Sequence, residues 1–67
     1  MGINGEKLKL YRKKSGLTQQ ALADMAGVHL GTIQKLEYSQ RNIEGVSFRI
    51  GLAIANALGV DPHELLD

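Results

Sequence analysis

Two short helices around a glycine turn are predicted over residues 16–37, and this segment constrains the fold more than any other part of the chain. Thr18 is a good N-cap for a helix over 19–26, although Ala21 stands where a glutamate would complete a capping box. Gly27 has the backbone freedom that a sharp turn needs. The segment therefore predicts two helices joined by a tight turn.

The second of these helices is predicted over 30–38, with Ile33 and Leu36 as its inward pair. His29 occupies its N-cap position, where it is a poor substitute for Ser, Thr or Asp. Gly31 weakens the first turn by something like 1 kcal/mol relative to alanine. A helix designed for stability alone would not carry that glycine.

Three further helices complete the prediction, each with its first residue as N-cap. They run from Asn4 to about Ser15, from Ser47 to Leu58 and from Asp61 to Leu66. Their expected inward residues are Leu8, Tyr11, Phe48, Ile50, Ile54, Ala55 and Leu58. No hairpin pattern competes with the helices. The chain is therefore predicted to be an all-α bundle of five helices, in one domain over residues 1–67.

Composition limits the class of protein. Sixty-seven residues allow one domain at most, near the lower size limit for a chain that folds without covalent or metal crosslinks. The chain has no cysteine and only two distant histidines, so neither a disulfide nor a zinc site is expected. No apolar run approaches the roughly 20 residues that cross a bilayer, and no signal-peptide pattern is present. We therefore expect a soluble cytoplasmic protein.

The charge is unevenly distributed although the net charge is only +1. Up to Arg41 the chain carries seven basic and three acidic residues, a net charge of +4. From Asn42 onward it carries one basic and four acidic residues, a net charge of −3. Such a molecule can turn its basic part towards phosphates, but a solvated basic helix face produces the same pattern.

Several short motifs together resemble one family. They are Thr18-Gln19, Leu22-Ala23, Gly27-Val28, Thr32-Ile33, Leu36-Glu37 and the run 54–60. Their joint spacing resembles that of the lambda-repressor-like (Xre-type) helix-turn-helix domains of phage and bacterial repressors. The resemblance extends from Leu8 to Leu66. It implies a compact five-helix bundle in which helices 2 and 3 form the DNA-binding unit.

The resemblance implies a role for several individual residues. Gln19, at the start of the second helix, corresponds to a glutamine that binds a backbone phosphate, and a helix N-terminus favours an anion in any case. Arg12 and Glu37 correspond to a partly buried ion pair that joins the first helix to the third. Arg41 and Asn42 lie in the following loop, where family members often contact phosphate.

Four residues correspond to positions that face base edges: Leu30, Gly31, Gln34 and Lys35. Glutamine can bond to adenine and lysine to guanine, each worth roughly 1–3 kcal/mol of discrimination. An ordinary solvated helix face is the alternative for both. Leu30 either contacts a thymine methyl group or covers the turn, and Gly31 either brings the backbone close to DNA or is merely tolerated. His29 either contacts a phosphate or is an inert exposed cap.

The function that the resemblance implies is a sequence-specific regulator of transcription that binds double-stranded DNA, a repressor of phage, plasmid or restriction–modification type. One domain reads only a few base pairs, so a homodimer on half-sites about 34 Å apart is expected. Val60, Leu65 and Leu66 are either dimer contacts or plain core residues. The alternative function is a protein-interaction module, either antitoxin-like or an adaptor.

No enzyme is indicated, since the sequence has no paired acids, activated nucleophile or phosphate-cradling glycine loop. His63 lies near Asp61 and Glu64 but lacks a third partner, so it is interpreted as a surface residue. Neither a cofactor nor a small-molecule ligand is expected.

Overall fold

A computed structural model of the chain describes residues 3–38 and 48–66. They form four α-helices and one 3-10 turn: α1 (Gly5–Lys14), α2 (Gln19–Ala26), α3 (Leu30–Tyr38), α4 (Phe48–Leu58) and the 3-10 turn (Pro62–Leu65). Within those ranges the only β pairing is an isolated bridge between Ile3 and Leu66. The predicted all-α class is therefore confirmed, and the bounds of α2 and α3 are the predicted ones.

Local hydrogen bonds begin α1 and α2 where the sequence predicts. The Asn4 side chain accepts from the backbone N–H of Lys7 at 3.0 Å. The Thr18 hydroxyl accepts from the backbone N–H of Ala21, also at 3.0 Å. Gly27 ends α2 with a φ of 70°, in the left-handed region that favours glycine. The caps satisfy N–H groups that a first helical turn leaves unpaired.

A single apolar core joins the elements. Its largest fully buried side chains are Leu8, Leu22, Ile33, Ile54 and Leu65, so every helix and the 3-10 turn contribute one. Burying a side chain of this size stabilises the fold by about 1.5–3 kcal/mol. Helix α2 packs against both α3 and α4, and α1 packs against α3. Helix α3 is therefore held by both α1 and α2.

Two expectations for the C-terminal half are wrong. The segment after Asp61 is a four-residue 3-10 turn and not a fifth α-helix. Its bonds run from Glu64 N–H to the Asp61 carbonyl and from Leu66 N–H to the His63 carbonyl, a spacing of three residues. Phe48 was expected to point inward but is 66% exposed. Helical side chains lean towards the helix N-terminus. The side chain of Phe48, the first residue, therefore extends beyond the N-terminal end of α4.

The candidate dimer residues at this end differ in exposure. Leu65 is 1% exposed and belongs to the core, so it is not available to a second copy. Val60 and Leu66 are half-buried. No helix within the described ranges is long and apolar enough to cross a membrane.

Candidate nucleic-acid interface

The turn between α2 and α3 is held by backbone hydrogen bonds. The N–H of Val28 donates to the carbonyl of Ala23 at 3.0 Å, which closes the end of α2 beside Gly27. The N–H of Thr32 donates to the carbonyl of His29 at 3.0 Å, which starts α3 immediately after the turn. Val28 also packs against the core. The two helices therefore form one structural unit.

Helix α3 has one buried face and one open face. Ile33 and Leu36 are 0% and 2% exposed. Gly31 and Lys35 are exposed, and Gln34 is half-buried. At about 100° per residue, these three positions share the side of α3 that lies away from the buried pair. A ligand can therefore reach Gly31, Gln34 and Lys35 without displacing any part of the core.

Other candidate contacts lie at the two ends of this face. Leu30 is half-buried at the start of α3, and His29 is exposed just before it. Tyr38, the last residue of α3, is 69% exposed and lies one turn beyond Gln34. Tyr38 was not among the predicted contacts, although its four-residue spacing from Gln34 places both on the same side of the helix.

A buried ion pair connects α1 to α3. Arg12 Nε lies 2.6 Å from Glu37 Oε2, and Arg12 Nη2 donates to Glu37 Oε1 at 3.0 Å. The two side chains are 10% and 1% exposed. The hydrogen bond to Glu37 raises the pKa of Arg12, because it stabilises the charged guanidinium. Arg12 Nη1 also donates to the carbonyl of Leu17 at 2.8 Å, so one guanidinium joins α1, the entry to α2, and α3.

Gln19 is tied to the same carboxylate. It is the first residue of α2, is half-buried, and donates from Nε2 to Glu37 Oε1 at 3.2 Å. The resemblance predicts a role for each residue separately, and the contact between Gln19 and Glu37 was not anticipated. No spacing in the sequence indicates it, because the two residues belong to different helices.

Two predicted phosphate contacts, Arg41 and Asn42, lie outside the described residues, as does the expected cap Ser47. Among the residues that are described, no group of His, Cys, Asp or Glu has the arrangement needed to hold a metal ion. His63 Nδ1 lies 2.9 Å from Asp61 Oδ1 on the exposed surface. Hydrogen bonds from the His63 backbone and ring lower the pKa of Asp61.

Comparison with known proteins gives a family and several structural relatives. The helix-turn-helix family matches residues 8–65. No curated protein sequence matches the chain significantly. The restriction–modification controller protein C.AhdI from Aeromonas hydrophila is 35% identical, with a TM-score of 0.80 over 92% of this chain and 89% of that chain.

Two further relatives were solved with DNA. SinR of Bacillus subtilis, the master regulator for biofilm formation, is 29% identical in its DNA complex, with a TM-score of 0.85 over 97% of this chain and 100% of that chain. The P22 c2 repressor, in complex with a synthetic operator, is 33% identical, with a TM-score of 0.79 over 100% of this chain and 97% of that chain.

The same fold also occurs inside a larger protein. PhpD, an enzyme, is 27% identical with a TM-score of 0.81, but this chain covers only 14% of the PhpD chain. The fold is thus found both in regulators of about this size and as a small part of a longer chain. Because the family match spans most of the sequence, this chain belongs to the lambda-repressor-like (Xre-type) helix-turn-helix family.

Proposed function

We propose that this chain is a transcription regulator that binds double-stranded DNA by placing α3 in the major groove. The open face of α3 carries the proposal, because Gly31, Gln34 and Lys35 are accessible while Ile33 and Leu36 anchor the helix from behind. The major groove admits an α-helix and gives each base pair a distinct pattern of donors and acceptors.

The base contacts are assigned to the open face and the residue that precedes it. Lys35 donates to guanine, and Gln34 bonds to adenine through its amide. Leu30, half-buried at the start of α3, contacts a thymine methyl group. Gly31 adds no side chain, and a Cβ placed there meets nothing within 4 Å. This position therefore leaves room for the backbone to approach the groove.

The phosphate contacts are assigned to residues on either side of that face. Gln19 lies at the N-terminus of α2, where backbone N–H groups favour an anion. His29 is exposed immediately before α3 and is assigned to a neighbouring phosphate. Arg41 and Asn42, which follow α3 in the sequence, are assigned to phosphates as the resemblance implies. These contacts set the position of α3 but do not read sequence.

The active form is proposed to be a homodimer that acts as a repressor. The structure measures 24 × 22 × 21 Å, whereas half-sites on one side of DNA are about 34 Å apart. One copy therefore reaches one half-site, and a symmetric operator requires two. Val60 and Leu66, which are half-buried, remain candidates for the dimer contact. Occupation of an operator would then block polymerase sterically.

Salt-dependent binding to a pool of random DNA duplexes tests the proposal. We expect binding at low salt that weakens as salt rises, with a slope of about −0.9 in log K against log salt for each phosphate neutralised. Selection of bound duplexes should yield an inverted repeat. Lys35→Gln should reduce binding. Lys9→Gln is the matched control, because it removes the same charge at an exposed position of α1 and leaves α3 unchanged.

Failure to bind DNA at low salt would contradict the proposal. One observation favours the alternative of a protein-interaction module: among the residues that the structure describes, four large apolar side chains are more than half exposed, namely Leu10, Met25, Tyr38 and Phe48. Exposed apolar surface is typical of protein contacts where it forms a contiguous patch. Absence of DNA binding by a folded dimer would therefore favour that alternative.

A further inference from the structure

One carboxylate serves two different partners in the interface. Glu37 Oε2 accepts from Arg12, while Oε1 accepts from both Arg12 and Gln19. The Glu37 side chain is 1% exposed, so it cannot touch DNA itself. We infer that Glu37 is a positioning residue that holds the amide of Gln19 in place for a DNA phosphate. This inference rests on the proposed function.

The chemistry of the two groups fixes the orientation of the Gln19 amide. An ionised carboxylate can only accept hydrogen bonds, so the Gln19 atom that faces Glu37 must be the nitrogen. One N–H is used in that bond, and the second N–H is left to donate elsewhere. Phosphate oxygens also only accept. The hydrogen bond to Glu37 therefore directs an N–H of Gln19 towards the phosphate. It also prevents the amide from rotating so that its carbonyl oxygen faces the phosphate.

The contact also couples the phosphate anchor to the reading helix. Gln19 begins α2, whereas Glu37 lies in the last turn of α3. A phosphate bound by Gln19 is thus placed relative to α3 through one hydrogen bond. Since ordering a long side chain on binding is unfavourable, a glutamine that is ordered beforehand binds more tightly.

Two substitutions at the ion pair separate positioning from stability. Glu37→Gln leaves a single acceptor oxygen, which the Arg12 fork occupies. The new NH₂ group then faces Gln19 Nε2. Because two NH₂ groups cannot accept from each other, the Gln19 amide rotates so that its oxygen faces residue 37. Arg12→Lys also weakens the pair, since lysine lacks the planar fork, but it leaves the carboxylate free to accept from Gln19. Only the first change alters the group that faces the Gln19 amide.

Affinity should be measured on a duplex that the unaltered protein selects from random DNA, at a temperature where circular dichroism shows every variant folded. We expect Glu37→Gln to weaken binding by about 2- to 12-fold beyond the effect of Arg12→Lys. When Gln19 is already replaced by alanine, Glu37→Gln should lower the affinity by no more than Arg12→Lys does. Duplexes that each carry one neutral methylphosphonate should identify the phosphate that Gln19 contacts. Neutralising this phosphate should lower the affinity of the unaltered protein but not that of Gln19→Ala or Glu37→Gln.

A second measurement needs no variant and no DNA. In the free protein, the side-chain amide of Gln19 should have an NMR order parameter close to that of rigid backbone, about 0.85, and well above the value of about 0.6 below which a group is flexible. A flexible Gln19 amide overturns the inference. So does equal loss of affinity in Glu37→Gln and Arg12→Lys while the unaltered protein still binds. If the unaltered protein binds no DNA, the proposed function falls and the inference with it.

Discussion

Asn4 donates its backbone N–H to the carbonyl of Leu65 at 2.8 Å, although the two residues lie near opposite ends of the sequence. Beside this bond, Ile3 and Leu66 form the isolated bridge, and Lys7 Nζ donates to the Leu66 carbonyl at 2.7 Å. Ile3 and Leu65 are 5% and 1% exposed. The first and last of the described residues therefore close the core together.

Leu65→Ala should consequently destabilise the whole domain. Truncating a fully buried leucine costs about 2–5 kcal/mol. That is a large part of the roughly 3–10 kcal/mol expected for the unfolding of a chain of this size. Urea denaturation measures the change, with Glu64→Ala, an exposed neighbour in the same turn, as the control. A loss below about 1 kcal/mol would show that the terminal turn does not unfold cooperatively with the helices.

Because of Asp61, the domain should lose a small part of its stability at low pH. Hydrogen bonds from the His63 backbone and ring lower the pKa of Asp61 in the folded state. A lowered folded pKa contributes stability at pH values above the ordinary carboxyl range, and this contribution is lost as the pH falls below about 4. Between pH 7 and pH 3, the melting temperature should thus fall further for the unaltered protein than for Asp61→Asn.

Asparagine is a matched control at this position because it can still accept from the His63 N–H but does not titrate. All other carboxylates are common to the two proteins, so their effects cancel in the comparison. Equal acid sensitivity of both proteins would show that the bonds to Asp61 do not differ in strength between its charged and neutral forms.

The helix-turn-helix unit was predictable from the sequence because its determinants are local. The Thr18 cap, the turn at Gly27 and the apolar pair Ile33 and Leu36 each act within a few residues of one another. These features alone place α2 and α3 and identify the open face. The bounds of both helices followed from them.

Contacts between distant parts of the chain were not predictable in the same way. The pairing of Asn4 with Leu65 and the bond from Gln19 to Glu37 leave no periodic pattern in the sequence. The last element was predicted as a helix from its Asp61 cap, but its few residues support only three-residue hydrogen bonds. Which sides of the helices meet depends on the tertiary packing.

Gly31→Ala should stabilise the free protein by about 0.5–1 kcal/mol, because alanine is the better helix former. The position tolerates a side chain, since Gly31 has no positive φ and an added Cβ meets nothing within 4 Å. Thermal unfolding measures the gain, which for a domain of this size corresponds to a few degrees in Tm. A destabilised variant would contradict the prediction.

The same variant decides between the two roles considered for Gly31. If the backbone of α3 lies against the DNA, Gly31→Ala will bind more weakly despite its greater stability. If the glycine is merely tolerated, affinity will be unchanged. Binding to the selected duplex, at a temperature where both proteins are folded, distinguishes the two.

Substitutions on the open face of α3 should change which DNA sequence is preferred, whereas Gln19→Ala should not. Lys35→Ala and Gln34→Ala each remove a proposed base contact worth roughly 1–3 kcal/mol, so each should relax the preference at one base pair. Gln19→Ala removes a proposed phosphate contact and should weaken binding to all sequences similarly. Affinities for a set of duplexes with single base-pair changes test this. If all three variants lost affinity without any change in preference, the proposed readout by Gln34 and Lys35 would be wrong, and the contacts of Leu30 and Tyr38 would become the ones to examine.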